Sequence, residues 1–286
     1  MPETNQTENL LNNRFKKYFM FSLTDFRPIR FKRFALRAAR ILYKPYQILI
    51  FMPFVGMNTF IIGMLAYLSA LLVNPRFAST VFGMLWAKMN SYATPMLVSI
   101  QGREFIDEKQ SYVIVSNHQS FYDIFILYGW IGIDFKWVMK ASLRKVPFLG
   151  PACEKIEHIY IDRSNPMAAI ESINMAKKRI VNGTSVVFFP EGTRSETGEL
   201  RPFKKGAFRF ALDMDLPLLP ITIMGTKDIL PAKTLDLFPG RAKMMIHPPV
   251  SIKTYKDKDI QLLMDDVKNI IQSGLPADYA KQATSE

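Results

Sequence analysis

Apolar and polar residues follow one another along this chain in blocks whose lengths suit strands and helices in turn. From about residue 96, short β-branched and apolar runs are separated by longer segments with helical periodicity. The predicted strands are 96–102, 111–116, 134–140, 156–161, 185–189, 218–224 and 242–247. The predicted helices are 121–130, 166–182, 206–214 and 257–273. Strands that alternate with helices indicate an α/β fold.

A long uncharged segment precedes this α/β region. No residue between 45 and 75 is charged, a run of 31 residues. As one straight helix this run would be about 46 Å long, which exceeds the roughly 30 Å hydrocarbon thickness of a bilayer. Pro53 and Gly56 predict a break, which leaves 57–73 as an apolar piece at the short end of a spanning length.

The regions on either side of this segment predict how it meets a membrane. A second apolar piece, residues 77–100, contains Lys88, so we expect it to lie in the membrane interface or against the next domain. Residues 1–45 carry ten Lys and Arg against three acids, interleaved with six phenylalanines. That pattern suits an anionic membrane surface, and a solvated basic tail is the alternative. If both flanks stay on the cytoplasmic side, the anchor is a hairpin or re-entrant segment.

Composition narrows the class of protein. The chain has 286 residues, 49% of them hydrophobic, and a mean hydropathy of +0.04 that is high for a freely soluble protein. A net charge of +12 implies an anionic partner, which could be nucleic acid, a phospholipid surface or a phosphorylated substrate. One cysteine, Cys153, excludes an internal disulfide, and the three histidines lack the spacing of a zinc site.

The first candidate site follows the predicted strand 111–116, which delivers His118 to a turn before a helix. His118 and Asp123 are five residues apart, or roughly 140° on a helix, so they meet only if His118 precedes the helix and Asp123 lies in its first turn. The carboxylate could then fix one imidazole tautomer and leave the other nitrogen as a general base. Alternatively, Ser120 and Asp123 have the spacing of a helix capping box.

The second candidate site follows strand 185–189. Gly192 allows the backbone to approach a ligand closely, and the Thr193 hydroxyl can donate a hydrogen bond. Arg194 offers a planar guanidinium fork that matches phosphate. Two lysines before the next helix could add charge to the same anion site. The candidate phosphate-binding residues here are Glu191, Gly192, Thr193, Arg194, Lys204 and Lys205. Arg163 is a further candidate in a separate turn after strand 156–161, where an Asp162–Arg163 pair could instead be structural. The alternative is a turn held by a structural Glu191–Arg194 ion pair.

Four segments, in this order, resemble the glycerolipid acyltransferase family. They are Asn117, His118 and Asp123 in an NH-x4-D signature, Ile161-Asp162-Arg163 in a middle arginine motif, 189–195 as a complete FPEGTRS signature, and 216–223 as a proline-containing hydrophobic motif. The resemblance covers about residues 96–250. Within this family, the sequence most resembles the bacterial acyltransferases that act on 1-acyl-sn-glycerol-3-phosphate.

This resemblance implies transfer of a fatty acyl chain from a coenzyme A or acyl-carrier-protein thioester to the sn-2 hydroxyl of lysophosphatidic acid, giving phosphatidic acid. His118 would take the hydroxyl proton, Asp123 would orient it, and Arg194 with its neighbours would hold the phosphate. No metal or cofactor is implied. The family fold is a mixed sheet flanked by helices, docked on the membrane by an N-terminal helical anchor.

We therefore expect a basic, aromatic segment at 1–44, a hydrophobic anchor at 45–95 and an α/β acyltransferase domain at 96–286 on the cytoplasmic face of the inner membrane. A different lysophospholipid or hydroxylated lipid could replace the acceptor. A hydrolase is disfavoured because the chain has no G-x-S-x-G motif. A basic membrane- or nucleic-acid-binding protein is the alternative from another class, and the uncharged run argues against a nucleic-acid partner.

Overall fold

The computed structural model describes residues 42–162, 165–255 and 259–276. Within these residues, seven strands form one sheet in the order β1-β7-β6-β2-β5-β3-β4. The strands are β1 (Met96–Gln101), β2 (Val113–Ser116), β3 (Phe135–Lys140), β4 (Ile159–Ile161), β5 (Ser185–Phe188), β6 (Leu218–Met224) and β7 (Gly240–Ile246).

Helices precede, connect and follow these strands. Helix α1 is Leu42–Leu72, and α2 continues through Pro75–Ala78, Ser79–Gly83 and Met84–Ala93. The others are α3 (Tyr122–Trp130), α4 (Leu149–Lys155), α5 (Pro166–Ala176), α6 (Gly206–Met214), α7 (Thr226–Ile229) and α8 (Ile260–Ser273).

The sheet is mixed, as expected. The five adjacent strands β4, β3, β5, β2 and β6 are parallel, β7 is antiparallel to β6, and β1 is parallel to β7. Parallel neighbours bring their carboxyl ends to one edge of the sheet. The loops that follow β2, β3, β5 and β6 therefore start at the same edge.

The central strand β2 is buried on both faces, which explains its continuous apolar sequence. Val113 and Val115 are fully buried in one cluster with Phe208 of α6 and Val267 of α8. Ile114, between them, points to the opposite face because side chains alternate along a strand, and it is also fully buried. The parallel strands at the centre are therefore fixed by packing from both sides.

The predicted strands and helices are present, with some boundary errors. Strand 156–161 is shorter than predicted, because Ile156 packs with Ala66 and Ala78 of the N-terminal helices instead of joining the sheet. Helix 166–182 ends earlier, since α5 passes into a 3-10 turn at Lys177–Arg179. Helix α4 was not predicted.

The predicted break at Pro53 is wrong, because α1 is continuous over 31 residues. A π-helical turn at Gln47–Phe51 precedes the proline. Proline lacks an N–H and its ring crowds the carbonyl four residues earlier. The wider turn accommodates both effects, because its hydrogen bonds connect residues five apart, as Met52 N–H to Gln47 O shows.

Helices α1 and α2 form a hairpin. Asn58 Nδ2 of α1 donates to Asn90 Oδ1 of α2 at 3.1 Å, and the Trp86 indole donates to Thr59 Oγ1 at 3.0 Å. Helix α2 packs on α3, where Lys88 Nζ lies 5.9 Å from the centre of the Trp130 ring. This is the second of the two placements expected for the piece that contains Lys88.

Both open ends of the hairpin lie at the α/β domain. Lys44 Nζ at the start of α1 forms a 3.0 Å ion pair with Asp236, and Tyr46 donates to the Ala93 carbonyl at the end of α2. In the described part of the chain, α1 is the one helix long and apolar enough to cross a membrane. Several of its large apolar side chains are exposed, including Met57, Phe60 and Ile61. An exposed apolar surface of this kind marks a contact with lipid or protein.

We predict that the hairpin inserts without carrying the chain across a bilayer, since both its ends contact the same domain. Cysteines introduced at Lys44 and at Lys204, each in a Cys153→Ala background, should be equally protected from a membrane-impermeant maleimide in sealed right-side-out vesicles. Detergent should make both reactive. Labelling of one position alone in sealed vesicles would mean a single crossing.

Candidate active site

His118 and Asp123 meet in the way their spacing requires. His118 lies in the turn after β2, and Asp123 lies in the first turn of α3. His118 Nδ1 is 2.8 Å from Asp123 Oδ2. Because a carboxylate accepts hydrogen bonds, Nδ1 is the donor in this contact, and in a neutral imidazole Nε2 then keeps its lone pair. The imidazole ring also stacks on Phe189, with ring centres 3.9 Å apart.

Asp123 has no exposed surface and accepts several hydrogen bonds. Its Oδ2 accepts from the backbone N–H groups of Gln119 at 2.7 Å and Ser120 at 2.9 Å as well as from His118. The contact with Ser120 is the one that the capping-box alternative predicts. The same carboxylate therefore contacts both the turn that begins α3 and the histidine, so neither interpretation excludes the other.

Both carboxyl oxygens of Glu191, which was predicted to help bind phosphate, accept hydrogen bonds from backbone N–H groups. Its Oε1 accepts from the His118 N–H at 2.8 Å, and its Oε2 accepts from the Arg201 N–H at 3.0 Å. Burial raises the pKa of this carboxyl to about 7 although both N–H groups favour the charged form. A buried carboxylate with both oxygens engaged would repel a phosphate. We correct the prediction and assign Glu191 to holding the backbone of His118.

Arg194 is not held by Glu191, and the described residues contain no ion pair between them. Its guanidinium instead lies over the Phe121 ring, with Cζ 3.8 Å from the ring centre. Burial lowers the Arg194 pKa, and the charge of Asp123 opposes that shift. The Arg194 guanidinium is therefore close enough to Asp123 for the two charges to interact. The neighbouring Thr193 is exposed.

Gly192 and Lys204 lie against each other. Gly192 has a φ of +74°, and a Cβ built on it would lie 2.8 Å from Lys204 Nζ. A larger residue would therefore displace the lysine. Lys204 and Lys205 are both exposed just before α6, and the Lys204 N–H donates to the Pro190 carbonyl at 2.9 Å. Lys204 thus lies against the turn after β5, which also carries Arg194.

Neither candidate nucleophile is available for covalent chemistry. The Ser120 hydroxyl donates to the Leu230 carbonyl at 2.7 Å. Cys153 is buried, and burial raises its pKa to about 12, so the thiol is protonated near neutral pH. Among the described residues, no group of three or more His, Cys, Asp and Glu side chains could hold a metal ion.

An apolar cavity of about 360 Å³ opens beside His118. It lies between the hairpin, β3, α3 and α4. Residues that line it include Ile62, Ala66, Trp86, Phe121, Trp137, Leu149, Ala152, Ile156 and Phe189. Along β3 the lining extends from Lys140, at the carboxyl end, back to Trp137. A pocket of this composition suits a hydrocarbon chain.

Two residues at this edge were missed by the sequence analysis. Lys140 ends β3 and lines the cavity together with His118. Thr226 follows β6 and donates to Asp123 Oδ1. The signal for Lys140 was its position at a predicted strand end, whereas nothing local indicates a contact between residues 103 apart. Arg163 lies outside the described residues, so its role in phosphate binding stays a prediction.

The raised pKa of Glu191 predicts a pH effect on stability. Between its ordinary value of 4.5 and about 7, the folded protein binds a proton more tightly than the unfolded chain. The unfolding free energy relative to Glu191→Gln should therefore fall as pH rises through this window. Denaturant unfolding in detergent at pH 5 and pH 8 measures it. Exposed Glu196→Gln is the control and should show little change, and a pH-independent difference for Glu191→Gln would contradict the expectation.

Comparison with known proteins shows which family this chain resembles. The Acyltransferase family model matches residues 97–224. The chain is 35% identical over 193 residues to 1-acyl-sn-glycerol-3-phosphate acyltransferase BAT2, chloroplastic, from Brassica napus, covering 67% of this chain and 54% of that protein. It is 35% identical over 168 residues to the chloroplastic LPAT1 enzyme of that name from Arabidopsis thaliana, covering 58% and 47%. The chain thus spans about half the length of these relatives.

A solved structure shares the fold. The 1-acyl-sn-glycerophosphate (LPA) acyltransferase PlsC from Thermotoga maritima superposes with a TM-score of 0.71 at 23% identity, covering 86% of this chain and 98% of that one. The matched region 97–224 contains the turns that carry His118, Asp123 and Arg194. Residues 97–224 therefore match the Acyltransferase family model, in agreement with the glycerolipid acyltransferase family that the motifs resemble.

Proposed function

We propose that this protein transfers a fatty acyl group from an acyl thioester to the sn-2 hydroxyl of 1-acyl-glycerol-3-phosphate, forming phosphatidic acid for phospholipid biosynthesis. The observation that carries the proposal is the His118–Asp123 pair at the mouth of an apolar cavity. The names of the relatives support the choice of acceptor.

The chemistry needs one base. His118 Nε2 takes the proton of the acceptor hydroxyl while that oxygen attacks the thioester carbonyl carbon. The tetrahedral intermediate then collapses, the carbon–sulfur bond breaks, and the imidazolium returns its proton to the leaving thiolate. Asp123 stabilises the imidazolium between these two transfers. Because Ser120 and Cys153 are unavailable as nucleophiles, the acyl group passes directly between the two substrates.

The apolar cavity and the nearby cations bind different parts of the substrates. The apolar lining takes the acyl chain, because hydrocarbon gains free energy on leaving water. The phosphate of the acceptor binds to Arg194, Lys204 and Lys140, which lie near the carboxyl edge of the sheet where His118 also lies. Thr193 is exposed beside them and can add a hydroxyl donor, and Lys205 adds charge at the start of α6. These assignments omit Glu191.

The donor is a coenzyme A or acyl-carrier-protein thioester, and either one presents phosphate or carboxylate groups to a chain of net charge +12. The protein acts at the cytoplasmic face of the inner membrane, with the hairpin inserted from that side. The apolar exterior of α1 and the basic residues before it support this placement. No step requires a metal or a bound cofactor.

The first test measures the reaction and its base. Purified protein given labelled acyl thioester and lysophosphatidic acid should form labelled phosphatidic acid. His118→Ala and Asp123→Asn should each lose about 10²–10⁴-fold in kcat, the usual contribution of a general base. Ser120→Ala and Cys153→Ala should stay active. Parallel kinetic lines with a trapped acyl-protein would contradict direct transfer, and a product from another lysolipid alone would contradict the acceptor.

The second test concerns the phosphate. Arg194→Lys keeps the charge but loses the planar fork, which places roughly 1.5–3 kcal/mol of charge-assisted hydrogen bonding at risk. The kcat/KM for lysophosphatidic acid should fall about 10–100-fold, with little change in the KM for the thioester. Arg179→Lys is the matched control, because Arg179 is exposed and precedes the amino end of β5. Equal effects of the two variants would place the phosphate elsewhere.

A further inference from the structure

Thr226 lies outside the motifs that identify the site, yet it contacts the central carboxylate. It is the first residue of α7, separated from the end of β6 by Gly225, and it has no exposed surface. Its hydroxyl donates to Asp123 Oδ1 at 2.5 Å. The two residues are brought together because β6 and β2 are parallel neighbours.

The two oxygens of Asp123 have different partners. Oδ2 accepts from His118, Gln119 and Ser120, which all belong to the turn after β2. Thr226 is the donor to Oδ1 among the described residues, and it comes from a different strand. A contact from a second direction fixes the plane of the carboxylate, which three donors converging on one oxygen do not.

The backbone that carries Thr226 is itself held in place. Gly225 has a φ of +83°, and a Cβ built on it would lie 2.1 Å from the Arg241 carbonyl oxygen. Ile223, two residues before Gly225, is held by the side chain of Asn117. The Asn117 amide donates to the Ile223 carbonyl and accepts from the Ile223 N–H, both at 2.8 Å. The hydroxyl of Thr226 is therefore presented to Asp123 from a rigid support.

We propose that Thr226 is a positioning residue for acyl transfer, which acts through Asp123 to hold His118 in the tautomer with a free Nε2. The inference rests on the proposed function, because it assigns the imidazole its role as base. Thr226 touches neither substrate. Its contribution is to keep the carboxylate plane aligned with Nδ1–H while the imidazole gains and loses a proton.

Two substitutions at this position separate the hydroxyl from the shape of the side chain. Thr226→Val keeps the branched shape and removes the donor, and Thr226→Ser keeps the donor and removes a methyl group. We expect at least a 10-fold loss of kcat in Thr226→Val with the KM of both substrates within about 2-fold. Thr226→Ser should stay within about 3-fold of wild type. Equal impairment of both variants, or full activity of Thr226→Val, would overturn the proposal.

Thr222 supplies a matched control on the same strand. It is fully buried, and its hydroxyl bonds His247 Nε2 and the Ile271 carbonyl, both at 2.8 Å, rather than Asp123. Thr222→Val should lower the unfolding temperature while leaving kcat near wild type. A kcat loss in Thr222→Val as large as in Thr226→Val, at equal stability, would show that the effect is general and would overturn the proposal.

A substrate-free measurement separates this inference from the proposed function. Long-range 1H–15N correlation on 15N-histidine-labelled protein in micelles reports the tautomer, with the His118 signal identified by its absence in His118→Ala. His118 should be protonated at Nδ1 in wild type and Thr226→Ser, and should populate the Nε2–H form in Thr226→Val. An unchanged tautomer in Thr226→Val would overturn the proposal even in an active enzyme. A wild type that makes no phosphatidic acid would overturn the function and leave this result intact.

Discussion

A carboxylate with no access to water, Asp123, is the constraint on which the rest of this site depends. Burying an unpaired charge costs several kcal/mol even after relaxation, so the fold has to surround it with donors. Those donors are two backbone N–H groups of the turn after β2, the His118 imidazole and the Thr226 hydroxyl. Each is placed by a strand that ends at this edge. Satisfying the carboxylate therefore also fixes the geometry that a general base requires.

The parallel centre of the sheet makes this convergence possible. Strands β3, β5, β2 and β6 are adjacent and parallel, so Lys140, the turn of Arg194, His118 and Thr226 all lie near carboxyl ends at one edge. Glu191 then ties two of these turns together, since it bonds the His118 N–H from the turn after β5. A carboxyl group in this position supports the backbone of the histidine.

The sequence predicted what depends on local pattern. The β-branched run 113–115 indicated a buried strand, and the five-residue spacing of His118 and Asp123 correctly required a turn followed by a helix. Prediction from the sequence failed where the hydrogen-bond partners of a side chain lie far away along the chain. Glu191 sits in a motif beside an arginine, so its sequence neighbours suggested a phosphate site, although its real partners are backbone groups at 118 and 201. Pro53 predicted a helix break, but the π-helical turn before it accommodates the proline, and no local residue pattern predicts such a turn.

Helix α1 both lines the apolar cavity and carries exposed apolar side chains, which would link membrane association to the proposed acyl transfer. Ile62 and Ala66 of α1 line the cavity, while Ile61 and Met64 on the same helix are exposed. Residues one or two positions apart on a helix face different directions, so α1 presents one apolar face to the cavity and another to its surroundings. An acyl chain that leaves a bilayer beside α1 would therefore exchange one apolar environment for another. Its transfer to the site would not require hydrocarbon to cross water, which is the costly step for a lipid substrate.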